Sequence, residues 1–272
     1  MESSSNRAQP TRSRRSMPRA VVVFTIGALL VGLAALSPGM AALLEGGNRA
    51  EVLTGLDDDN LNNPVIQPAG VAANQSLNNT DVILGEDKND VLLGLLGSDV
   101  MDGGAGKDII VGGTEQGTAP NSDIMFGGSG NDVNVWAPGD GSEAFLGDRG
   151  SKDALVFGVI DRVNNVPTLS DPRRDFPEGV PTAEVTNSGG FCTLEEVTDE
   201  SLGYEFLARF FVRATGNLAV TVRVTDVEQV FCTSQAGGAI TFADLTERNP
   251  AFVEIPANQV DDLNETVDRI IR

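Results

Sequence analysis

GGAGKDIIV at Gly103–Val111 and GGSGNDVNV at Gly127–Val135 are the fullest copies of a pattern that runs from Asn79 to Phe157. Each copy is a glycine-rich hexad closed by an acid, followed by a short apolar run. Asp81, Asp90, Asp99 and Asp108 succeed one another at nine-residue steps; Asp123 and Asp132 resume the series, and Glu143 and Asp153 extend it more loosely. Glycines at the first, second and fourth places of the hexad permit positive φ and a tight turn. The acid at the sixth place sets a carboxylate at the exit of that turn. The runs Val82–Leu84, Val91–Leu93, Ile109–Val111 and Ile124–Phe126 are β-prone but too short to stand alone. They persist only if successive copies stack and bury a common core, which is the logic of a solenoid. The residue two after each acid then points inward: Ile83, Leu92, Met101, Ile110, Met125, Phe145 and Leu155. Asn134 interrupts this set, and because a buried amide needs partners, irregular packing is expected around it.

Stacked turns also stack carboxylates, and a column of bare carboxylates repels itself. Lys88, Lys107 and Lys152 are the only lysines, each just before a repeat acid, so positive charge from the chain itself is scarce. Carboxylates and main-chain carbonyls, with no histidine in the chain, suit a hard divalent cation. Ca²⁺ accepts six to eight such oxygens in flexible geometry, whereas Mg²⁺ demands a tighter octahedron.

These residues resemble the RTX, or haemolysin-type, calcium-binding nonapeptide repeat G-G-x-G-x-D-x-U-x. The resemblance covers roughly Ser76 to Phe157. It implies a parallel β-roll in which two nonapeptides make one coil and several Ca²⁺ ions lie between turns along each edge. By implication Asp81, Asp99 and Asp123 line one edge, and Asp90, Asp108 and Asp132 the other. Implied carbonyl ligands come from the hexad glycines Gly94 and Gly97, Gly103, Gly104 and Gly106, and Gly127, Gly128 and Gly130. GEDKND at Gly85–Asp90 keeps only its first glycine and its acid, and the turn ending at Asp123 carries a six-residue insertion, expected to bulge from one edge.

The N-terminus reads differently. Met1–Arg19 is polar and basic, Val21–Leu36 is apolar, and Ser37–Ala41 breaks the run with small residues. This is the layout of a secretory signal peptide with cleavage after Ala41, an uncleaved anchor being the alternative. The sixteen-residue run is slightly short for a membrane span, so none is expected in the mature form. Many proteins with such repeats leave through a type I exporter that reads their C-terminus, and an N-terminal signal departs from that habit. The expected location is extracytoplasmic, secreted or cell-surface. Residues 1 to 41 hold five arginines and one acid, which leaves 14 positive and 38 negative charges, a net −24, on the remainder. Such a surface repels nucleic acid and disfavours a compact metal-free state, which bound cations relieve.

The chain divides into 1–41 (signal), 42–75 (linker or N-terminal cap), 76–157 (calcium-binding β-roll) and 158–272. In the linker, Asp57–Asn60 reads as a solvated acidic turn without EF-hand spacing. In the last part, Tyr204–Val212 and Leu218–Val224 alternate apolar and polar around Ala214–Asn217, a β-hairpin with one buried face. Val227–Phe231 and Ala239–Phe242 suggest further strands, and Val260, Leu263, Val267 and Ile270 a closing helix. The fold class is therefore mainly β: a parallel roll followed by a small antiparallel β domain or cap. Cys192 and Cys232 are the only cysteines, and in an exported chain they pair as a disulfide.

Without histidine there is no Ser-His-Asp triad, Cys-His pair or H-E-x-x-H zinc site. Neither G-x-S-x-G nor a phosphate-cradling G-x-x-x-x-G-K-[ST] occurs. The reading is a calcium-binding protein, not an enzyme, that folds on meeting the ion and has a structural or surface role. One alternative is an extracellular glycan- or protein-binding module carried by the C-terminal β domain, with the roll as spacer. Another is a carboxylate-based carbohydrate-active enzyme, although one Trp (Trp136) and one Tyr (Tyr204) offer little for sugar stacking. Trp136 is expected in the core or capping the roll.

Overall fold

The computed structural model describes residues 43–55, 81–113, 122–164, 166–170, 172, 174–181 and 183–255. The signal segment, the Asp57–Asn60 turn, most of the insertion before Asp123 and the C-terminal helix fall outside the described residues.

Short strands between glycine turns pair in parallel, as the repeat demands. Leu43–Glu45, Val82–Leu84, Val100–Asp102, Ile124–Phe126 and Ala144–Leu146 stack in that order in a first sheet. Val52–Thr54, Val91–Leu93, Ile109–Val111, Val133–Trp136 and Ala154–Phe157 stack likewise in a second. Each coil contributes one strand to each sheet. Residues 43–55, read from sequence as linker or cap, thus pair in parallel with the coil that follows.

The stack continues beyond Phe157. Leu218–Thr225 pairs in parallel with Ala144–Leu146, and Gln229–Thr233 with Ala154–Phe157, so residues 218–233 make a sixth coil. Only then does the pairing turn antiparallel. Phe206–Val212 and Gly190–Glu196 extend the first sheet, and Ile240–Asp244 and Val253–Glu254 the second. The expected hairpin around Ala214–Asn217 is present, with alternating buried and half-buried residues on both arms.

All seven residues expected to point inward are fully buried in a single core, joined by Val224 and Val230 of the sixth coil. Burying each such side chain contributes roughly 1.5–3 kcal/mol, which a three-residue strand obtains only by stacking. Asn134 departs from expectation: its strand keeps register with Ile110 and Leu155 instead of packing irregularly. Its amide Nδ2 donates to Met125 Sδ at 2.7 Å, so the facing strand of the same coil supplies a soft acceptor. Trp136 is buried, with ring centroids 5.3 Å from Phe157 and 4.8 Å from Phe210, and helps seal the C-terminal end of the core.

A second apolar layer was not legible in the sequence. The described residues between 158 and 185 form short antiparallel pairs, Val159–Ile160 with Ala183–Glu184 and Leu169–Ser170 with Val180–Pro181. Ile160, Phe176, Val180, Ala183 and Val185 cover the outer side of the second sheet over Val91, Ile109, Val133 and Val156. The strands Val91–Leu93, Ile109–Val111, Val133–Trp136 and Ala154–Phe157 of the second sheet are therefore buried on both faces, whereas the first sheet leaves Ile124 43% exposed.

Cys192 and Cys232 form the expected disulfide, with Cα atoms 6.0 Å apart across a separation of 40 residues. The bond links the last strand of the first sheet, Gly190–Glu196, to Gln229–Thr233 of the second, and so ties the two walls together at the closed end. Replacing both cysteines by serine is expected to lower unfolding stability by about 2–4 kcal/mol. Urea denaturation of wild type and variant under oxidising conditions measures that difference.

Candidate metal centre

The two edges of the roll are unequal. Crossing from the first sheet to the second, the chain uses hexads of the same length: 46–51, 85–90, 103–108 and 127–132, then 147–153. Crossing back, it uses 55–81, 94–99, 112–123, 137–143 and 158–217, so every long insertion sits on the return edge.

Parallel stacking in register brings the repeat acids into two columns, as the resemblance implies. On the hexad edge each carboxylate accepts the backbone N–H of the acid one coil before it. Glu51 N–H donates to Asp90 Oδ1 at 2.8 Å, Asp90 to Asp108 at 2.7 Å, and Asp108 to Asp132 at 2.8 Å. Asp132 N–H donates to Asp153 Oδ1 and Asp153 N–H to Glu228 Oε2, both at 2.8 Å. On the return edge Asp81 donates to Asp99 and Asp99 to Asp123, again at 2.8 Å. The structure thus keeps Asp81, Asp99 and Asp123 together and Asp90, Asp108 and Asp132 together.

Sequence reasoning missed Glu51 and Glu228 as members of this column. GGNRAE at Gly46–Glu51 has the paired glycines and the acid at the sixth place, so Glu51 was detectable. Glu228 is the last residue of a three-residue turn with no glycine, and nothing in the sequence marks it.

One oxygen per carboxylate is thereby satisfied. The second oxygen, Oδ2 of Asp90, Asp108, Asp123 and Asp132, is buried with no hydrogen-bond partner among the described residues. These oxygens aim at the first glycine of their own hexads. A Cβ placed on Gly103 would lie 2.6 Å from Asp108 Oδ2 and 2.8 Å from the Gly127 carbonyl oxygen of the next coil. On Gly127 it would lie 2.7 Å from Asp132 Oδ2 and 3.0 Å from the Gly147 carbonyl, and on Gly94 it would lie 2.6 Å from Asp99 Oδ2. Gly85, Gly94, Gly103 and Gly127 therefore each leave open a cradle into which a carboxylate oxygen and a main-chain carbonyl converge.

This corrects the expected role of the glycines. Positive φ is found at the second and fourth places, at Gly104 (88°), Gly128 (94°), Gly97 (137°) and Gly130 (151°). Gly94, Gly103 and Gly127 at the first place do not have it, nor does Gly106. At the first place a side chain would fill the cradle, and at Gly106 it would strike the Lys88 carbonyl of the preceding coil. The left-handed turn is kept even where glycine is absent, at Glu86 (70°), Lys88 (89°), Leu95 (74°) and Asp148 (61°). Stacking therefore imposes the turn on residues that disfavour it by about 1–2 kcal/mol each.

Burial without a counter-charge resists ionisation. Desolvation pushes the Asp108 carboxyl up to about 9, Asp132 to about 8 and Asp90 to about 6, although the backbone N–H bond each accepts opposes the rise. Burial also raises Asp123 and Asp140, with the Arg162 guanidinium holding Asp140 down through a 2.8 Å ion pair. Such carboxyls either keep a proton or meet a cation. The donors are all oxygen, the chain lacks histidine, and both cysteines are in the disulfide. Among the described residues no three His, Cys, Asp or Glu side chains converge on one point. A cation here takes few carboxylates and several carbonyls, which fits Ca²⁺.

Residues 78–118 and 121–133 match the family model of the RTX calcium-binding nonapeptide repeat, in four copies. No curated protein matches the chain. Among the described residues no helix is long and apolar enough to cross a membrane. Periodicity, coil geometry and family match converge on one stretch: residues 78–118 and 121–133 are RTX calcium-binding nonapeptide repeats.

Proposed function

We propose that this is an exported, non-enzymatic calcium-binding protein whose roll folds on binding Ca²⁺ and serves a structural or surface role. The observation that carries the reading is the set of buried Oδ2 atoms of Asp90, Asp108, Asp123 and Asp132, which have no hydrogen-bond partner among the described residues and each face a cradle kept open by a glycine. Asp81, Asp90, Asp99, Asp108, Asp123 and Asp132 would hold the ions, together with carbonyls of the hexads around Gly94, Gly97, Gly103, Gly104, Gly106, Gly127, Gly128 and Gly130. A bound divalent ion supplies the counter-charge that makes neighbouring carboxylates compatible. It stabilises the folded chain by mass action, because the unfolded chain has no such site. A disulfide across the two sheets fits an oxidising compartment outside the cytoplasm.

Circular dichroism of the protein during calcium titration tests this. Strand signal is expected to rise cooperatively over the millimolar range, and a spectrum indifferent to calcium would rule the reading out. Asp108→Asn should shift the calcium midpoint upward by roughly tenfold, since it removes charge from a complete hexad. Asp175→Asn, on the exposed surface, should leave the midpoint where it was.

A further inference from the structure

The cradles are not all alike. Beside Gly103 and Gly127 the carboxylate oxygen is joined by the carbonyl of the next coil, Gly127 O and Gly147 O. Gly85, Gly94 and Gly147 repeat this with Gly103 O, Gly112 O and Asp226 O. Gly112 departs from the rule. A Cβ there would strike Asp123 Oδ2 and lie 2.7 Å from Glu143 Oε1, so a second carboxylate stands where the others present a carbonyl. We propose that the Gly112 cradle, with Asp123 and Glu143 converging on it, is the highest-affinity calcium site of the roll, a deepening that rests on the calcium reading above.

The local sequence explains how Glu143 comes to be there. The return turn 137–143 is pinned at three points. Asp140 Oδ2 accepts the Ala137 N–H at 2.8 Å, Asp140 Oδ1 accepts Arg162 Nη2 at 2.8 Å, and Trp136 Nε1 donates to the Gly141 carbonyl at 3.1 Å. Both oxygens of Asp140 are thus engaged, which takes it out of the cradle. The strand after the turn keeps register, since Ala144 N–H donates to the Asp123 carbonyl at 2.9 Å. Glu143 therefore occupies the acid position with one methylene more than aspartate, and that length carries its carboxylate to Gly112. Length alone does not do this: Glu228, also at an acid position, bonds the Asp153 N–H, and its neighbouring cradle at Gly147 faces a carbonyl.

The second sign of a ligand is Asp123 itself, 1% exposed, with Oδ2 aimed into the cradle and no hydrogen-bond partner among the described residues. Two carboxylates on one point repel until a cation separates them. Once it does, the ion gains a full charge more than at a carboxylate–carbonyl pair. Affinity of oxygen sites for Ca²⁺ rises with the number of charged ligands.

Trp136, the single tryptophan, lies in the strand that leads into this turn, so Tb³⁺ bound there is placed for sensitised luminescence. The test titrates Tb³⁺ into wild type, Glu143→Gln and Glu143→Asp, alongside calcium calorimetry of each. Folding of every variant is checked by circular dichroism at saturating calcium. Expected is tryptophan-sensitised emission that saturates first in wild type and needs roughly tenfold more Tb³⁺ in both variants, with loss of the tightest calorimetric class. Glu143→Asp keeps the charge and withdraws its reach, so it separates position from electrostatics. If either variant retains the tightest class and the wild-type emission curve, the proposal is overturned while calcium binding by the repeats stands. If wild type takes up no calcium at all, the broader reading fails first.

Discussion

Calcium-free protein should be least stable near pH 8 and regain its fold as the pH is lowered toward about 5, while calcium-loaded protein should show little of this slope. Asp108, Asp132 and Asp90 have folded values of about 9, 8 and 6 against an ordinary 3.8. Between roughly pH 4 and pH 9 the folded, metal-free chain holds more protons than the unfolded one. Stability therefore falls as pH rises across that window. It is greatest below the unfolded value, where both states are protonated, and is lost as pH passes through the folded values. A tenfold change in proton affinity is worth about 1.4 kcal/mol. All three shifts have the same sign, so their effects add in one direction against the ~5–15 kcal/mol that holds an ordinary domain. Calcium held by these carboxylates, as proposed, would remove the slope by replacing the protons as counter-charge. Urea midpoints measured from pH 5 to pH 8, with and without calcium, check the sign, and a metal-free protein more stable at the alkaline end would contradict it.

The second large effect is expected at Gly130. A Cβ there would strike the Gly106 carbonyl oxygen and sit 2.6 Å from its carbon. That carbonyl is backbone of the preceding coil, so no side-chain rotation relieves the clash. The turn is also held from the other side, since Gly130 N–H donates to the Arg149 carbonyl at 3.0 Å. Gly130→Ala must therefore pry two coils apart, and a loss of about 4 kcal/mol or more is expected. Gly216 supplies the comparison: φ is 70°, and a Cβ would meet nothing within 4 Å. Gly216→Ala should cost only the left-handed backbone penalty, about 1 kcal/mol. Equal losses in urea denaturation with calcium present would mean that coil spacing does not explain the glycines.

Much of the roll was readable because each coil is specified locally. The nine-residue phase names the inward residues from Ile83 to Leu155, and alternation names the hairpin around Ala214–Asn217. Glu51 escaped because its hexad stands alone, separated from the next at Gly85–Asp90 by residues 52–84, and a single copy has no period. Glu228 escaped because the sixth coil replaces the glycine hexad with a three-residue turn in which Asp226 adopts φ of 52°.

The amino-acid order by itself determined that short strands alternate with glycine turns, that acids recur in phase with those turns, and that the two cysteines pair; their division between two edges was implied by the resemblance. Tertiary structure alone decided that residues 218–233 rejoin the stack after a sixty-residue excursion and that residues 158–185 cover one sheet. It alone also brings Glu143 beside Asp123. Turn and strand signals act within a few residues, whereas strand partnership and cradle composition depend on which distant surfaces exclude water together.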